Sequence, residues 1–81
     1  MSWVVFYSER AQLDCDGLPG EALAALGELE GQLSEHPFLG DQNPNDRLER
    51  SVDFGKQGQG VVTYTLDEHQ QEIWFLGIIW C

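Results

Sequence analysis

Three of the four basic residues, Arg47, Arg50 and Lys56, fall within ten residues of one another. Clustered cations of this kind can stabilise the charge that develops on a phosphate during in-line cleavage. The competing reading is ordinary surface pairing with the neighbouring Asp46, Glu49 and Asp53. Tyr7 and Tyr64 offer hydroxyls for proton transfer or rings for stacking, although a tyrosine inside an apolar strand is by default a core residue. His69 sits in an acidic, glutamine-rich turn. With no adjacent nucleophile or second base it reads as a solvated loop residue. Asp14, Asp16 and Glu21 suit either a bound cation or the start of a helix, where carboxylates are favourable.

Cys15 and Cys81 are the only cysteines and have no C-x-x-C spacing, so free thiols are expected rather than a disulfide framework. Together with His36 and His69 they form no finger-like metal set, and the expectation is neither metal nor cofactor. A reactive thiolate at Cys81 is disfavoured by the surrounding negative charge. That charge is large, with fourteen Asp and Glu against four Lys and Arg, a formal net of −10. Nucleic-acid binders gain affinity by neutralising phosphates, so this balance opposes direct RNA or DNA contact. It suits docking on a basic protein surface, mimicry of nucleic acid, or solubility in a salty cytoplasm.

The elements that must position these residues follow from spacing. From Arg50 to Cys81 the chain reads as three consecutive strands: alternating Leu48, Arg50, Val52 and Phe54; β-branched and aromatic Val61 to Leu66; and the apolar run Ile73 to Trp80. Gly55, Gly58 and Gly60 permit the first reversal and residues 67–71 the second, giving an antiparallel meander. Ala22, Leu26, Leu29 and Leu33 recur at helical spacing, which predicts an amphipathic helix from Pro19 to Glu35 that packs on Val5, Tyr64 and Phe75. Pro37 sets its far limit by disfavouring helix at His36. Ser8 caps a shorter helix that ends near Asp16 and Gly17. Trp3 to Tyr7 lacks polar alternation and is expected to be an interior strand beside the last one. Segment 40–47 reads as a polar loop.

Eighty-one residues make one domain, residues 1–81, with one helix layer on one sheet: an α+β fold in the order β-α-α-β-β-β. The N-terminus has no basic-then-apolar signal pattern, and the longest apolar run is too short to span a bilayer as a helix. A soluble, cytoplasmic protein without membrane association is expected.

Taken in order, Ser8 to Asp14, Leu18-Pro19 before a leucine-spaced helix, His36-Pro37 at its end, and Arg50 to Gly55 ahead of Val61, Val62 and Tyr64 resemble the RelE/ParE toxin superfamily of bacterial toxin-antitoxin modules. The likeness runs nearly end to end. It implies helices on one face of a mostly antiparallel sheet, and an antitoxin-like protein laid along sheet and helices. It also implies one of three roles: a ParE-like toxin acting through protein contacts, as on gyrase; a ribosome-dependent mRNA interferase using Arg50, Arg47 and Lys56 as catalytic cations; or a non-toxic binding or regulatory relative. The chain departs from the nuclease pattern where Gly60-Val61 and Trp80-Cys81 replace expected basic residues. The first role is therefore the leading expectation, with a homodimer through uncovered apolar surface as a further possibility.

Overall fold

Apolar strands of unequal length decide the architecture of the computed structural model, which describes residues 2–81. The elements are β1 (Val4–Tyr7), α1 (Glu9–Asp16), α2 (Gly20–Glu35), β2 (Asp41–Asn43), β3 (Asp46–Phe54), β4 (Gly60–Asp67) and β5 (Glu72–Trp80). They form one five-stranded sheet in the order β1-β5-β4-β3-β2. Only β1 and β5 run parallel; the other pairs are antiparallel.

The helix stripe is as spaced: Ala22, Leu26, Leu29 and Leu33 are all buried. Leu26, Leu29 and Leu33 share a core with Phe54, Val62, Tyr64, Ile73, Phe75 and Ile78, and Val5 packs against its margin. Each fully buried leucine stabilises the fold by about 1.5–3 kcal/mol. Pro19 stands one residue before α2 as its N-cap, and His36 terminates it by donating its backbone N–H to Gln32 O. The Ser8 cap on α1 is present, its Oγ accepting from Ala11 N at 3.1 Å.

Two expectations are corrected. β1 lies beside β5 as expected, but at the sheet edge rather than inside it, with Val4 and Phe6 exposed on the face that the helices leave open. Its outer edge is closed by side chains instead of a strand. Ser34 Oγ donates to Trp3 O at 2.7 Å, and Gln12 Nε2 donates to Tyr7 O at 3.1 Å, which blunts an edge that would otherwise invite pairing. The second correction falls in 40–47, which contains β2 and a tight reversal into β3. Asn43 Oδ1 accepts from Asn45 N at 2.9 Å, the local side-chain bond that makes Asn a turn former.

β1 ends at Tyr7 while β5 continues to Trp80, and α1 covers the exposed β5 edge. Ser8 N and Oγ donate to Phe75 O and Leu76 O, and Ile78 N donates to Asp14 Oδ2 at 2.9 Å. A carboxylate thereby takes the place of a strand carbonyl. A bulge where Tyr64 pairs with Phe75 and Thr63 with Gly77 leaves Leu76 as the extra residue, the usual way in which a strand re-aims its following side chains.

Candidate functional site

Arg50 lies opposite Tyr64 in the β3–β4 register, so both side chains share the helix-covered face. The Arg50 Nη1 donates to Gly40 O at 2.7 Å and to Phe38 O at 3.3 Å, and its guanidinium stands 5.1 Å from the centre of the Phe38 ring. The fully buried Tyr64 hydroxyl accepts from Gly40 N at 2.8 Å and donates to Pro37 O at 3.0 Å. Burial raises the Tyr64 pKa, against the opposing pull of the Gly40 N–H bond and the Arg50 charge. Gly40 is obligatory here, because a Cβ would come within 2.7 Å of both Ser51 O and the Tyr64 hydroxyl. Arg50 and Tyr64 therefore pin the α2–β2 connection to the sheet.

Arg47 and Lys56 have different neighbours. Arg47 is exposed near the start of β3, where its carbonyl accepts from Gln42 Nε2. Lys56 lies beyond the other end of β3, in the turn before β4. The strand from Arg47 to Phe54 alone spans roughly 23 Å at ~3.3 Å per residue, so the three cations do not converge. Nor do they pair with Asp46, Glu49 or Asp53: the one ion pair among the described residues joins Arg10 Nε to Asp14 Oδ1 at 3.3 Å.

The open face of the sheet can be read row by row from the register. Val4, Glu72 and Asp67 form one row, Phe6, Trp74, Thr65 and Glu49 the next, Gly77, Thr63, Ser51 and Asp41 the third, and Ile79, Val61 and Asp53 the last. Phe6 stacks on Trp74 with centroids 4.9 Å apart. The charged members of these rows, Glu72, Asp67, Glu49, Asp41 and Asp53, are all acidic, and Arg47, two residues before Glu49 on β3, falls on the same side by strand alternation. A shallow groove of about 300 Å³ borders the face between Arg10, Asp14, Glu49, Thr63 and Ile79, and its cation, Arg10, is the one paired with Asp14.

The remaining candidates have structural partners or stand alone. The Tyr7 hydroxyl donates to Glu30 Oε2; burial, then that bond and the Glu30 charge, push its pKa far up. Cys15 and Cys81 are free thiols. Burial and the charges of Asp16, Asp14 and Glu30 raise the Cys15 pKa, which makes it a poor nucleophile. His36 and His69 are exposed. Among the described residues no group of three His, Cys, Asp or Glu side chains is placed to hold a metal ion, and no helix is long and apolar enough to cross a membrane.

One concavity was not foreseen from sequence. A cleft of about 450 Å³ separates α2 from the end of β3 and its following turn. Leu29, Phe54 and Trp80 supply apolar lining, the last two rings 5.4 Å apart, and Glu21, Glu28 and Lys56 lie around it. The signal available in the sequence was the i, i+7 repeat of Glu21 and Glu28 beside the leucine stripe.

No protein-family model matches the chain, and no curated protein matches it. Solved structures do. A chain of the toxin-antitoxin complex RelBE2 from Mycobacterium tuberculosis superimposes with TM-score 0.87 at 23% identity over 100% of both chains. The isolated E. coli RelE toxin gives 0.85 at 10% identity, covering 99% of this chain and 85% of that one. A mutant E. coli RelE in complex with an antitoxin RelBc peptide gives 0.83 at 11% identity, over 96% and 82%. On these likenesses the chain has the RelE-like toxin fold.

Proposed function

We propose that this chain is the toxin-type component of a toxin-antitoxin module, working in the cytoplasm through protein contacts and without a competent ribonuclease site. The observation that carries the reading is the open sheet face, where the paired rows bear Asp41, Glu49, Asp53, Asp67 and Glu72, and Arg47, two residues before Glu49, is the one strand cation on that side. In-line cleavage needs cations around the crowded phosphate, and Arg50 is already bonded to two backbone carbonyls on the other face. An antitoxin-like partner is supported by the similar structures, one a toxin-antitoxin complex and one a toxin bound to an antitoxin peptide. The cellular target is a protein surface, for which gyrase or a ribosomal protein is the first choice to examine.

Tightly controlled expression in a bacterial host tests the reading. Growth should slow on induction while transcript 5′ ends, mapped by primer extension, stay unchanged, and co-expression of the product of an adjacent reading frame should restore growth. Unimpaired growth at high expression would overturn the toxin assignment.

A further inference from the structure

The cleft between α2 and the β3–β4 turn combines an apolar floor with carboxylates that have no partner. Leu29 and Phe54 are buried beneath it and Trp80 is half-buried at its end. Glu21 and Glu28 are exposed on the α2 wall, and among the described residues neither enters an ion pair or a side-chain hydrogen bond. Seven residues apart on one helix, they stand about 10.5 Å apart along its axis. Among the described residues Lys56, the cation on the opposite wall, also enters no ion pair.

We propose that this cleft is the docking site for a cationic amphipathic helix of a partner protein, which places apolar side chains over Leu29 and Trp80 and two arginines opposite Glu21 and Glu28. The charge of the whole chain, −10, favours such an occupant at long range. The cleft determines where it settles. An arginine stem covers apolar surface while its guanidinium reaches a carboxylate, and an i, i+7 pair of arginines on the incoming helix repeats the spacing of the two glutamates. Gln32, one turn beyond Glu28 on the same wall, extends the polar rim along the same line. The inference rests on the reading of the chain as a protein-binding molecule, and it adds the surface and the chemistry of the ligand.

The probe is a synthetic helical peptide of alanine and leucine with arginines at i and i+7, compared with the same peptide carrying glutamate at those positions. Titration into 15N-labelled protein should shift the amides of residues 21–32 and 53–56 and the Trp80 indole N–H, leaving the Trp74 indole in place; the glutamate peptide should not bind. Glu21→Gln with Glu28→Gln should weaken binding about fivefold or more. Asp16→Asn with Glu68→Gln changes net charge by the same amount, from −10 to −8, and should leave binding nearly unaltered. Equal weakening by the two double variants, shifts centred on the open sheet face, or no binding of the arginine peptide would each overturn the assignment of the cleft. None of these results bears on growth inhibition or transcript integrity, which test the functional reading separately.

Discussion

At the scale of single residues, Arg50 and Tyr64 form one joint. Their bonds to Pro37, Phe38 and Gly40 hold the segment that leaves α2 against the sheet. Tyr64→Phe removes the hydroxyl but not the groups that it satisfies, so the Gly40 N–H and the Pro37 carbonyl lose a buried partner. The expected cost is about 1–3 kcal/mol, read as a lower urea midpoint at unchanged slope. The types and spacing of Arg47, Arg50 and Lys56 suggested one cationic group, yet three bases within ten residues can share a site only if the chain folds back between them. Here they lie along a single strand and its turn, and the strand keeps them apart. Their proximity in sequence carried no information about that.

Among the elements, α2 was legible because its leucine spacing states which side is buried, and burial is the force that places it. Leu26→Ala should cost about 2–5 kcal/mol through lost apolar contact and the cavity left behind. Chemical denaturation checks this, and an unchanged midpoint would contradict the packing. The position of β1 was misread because an uninterrupted apolar run signals two covered faces only when helices cover both. In this sheet Phe6 instead stacks on Trp74 on the open face, so an aromatic neighbour replaces a helix. β2 was hidden for a different reason: Asp41, Gln42 and Asn43 have low strand propensity, and their pairing is imposed by the free edge of the longer β3. The role of α1 as a cover for the β5 edge was also invisible, since it depends on Asp14 meeting the Ile78 amide sixty-four residues away. Asp14→Ala should leave that amide without a protein acceptor and speed its hydrogen exchange relative to Ile73, whose place between β1 and β4 is untouched. Equal exchange of Ile78 in the two proteins would show that α1 does not seal the edge.

For the whole molecule, the distribution of charge matters more than its total. The acidic excess alone argued against phosphate binding, but a local basic patch on a negative protein would still have served a nuclease. The proposed function rests on the open face of β3 and β4 presenting Glu49, Thr65, Ser51, Thr63, Asp53 and Val61, with Arg47 alone at its end and Arg50 turned to the other side. A molecule with this fold and this face is expected to engage proteins and to leave RNA alone. The most direct measurement is primer extension on messenger RNA after purified protein is added in excess to an actively translating bacterial extract. The account predicts intact transcripts with no new 5′ ends at any dose. Codon-phased cleavage within open reading frames, abolished by Arg50→Ala in a variant shown by circular dichroism to remain folded, would contradict it.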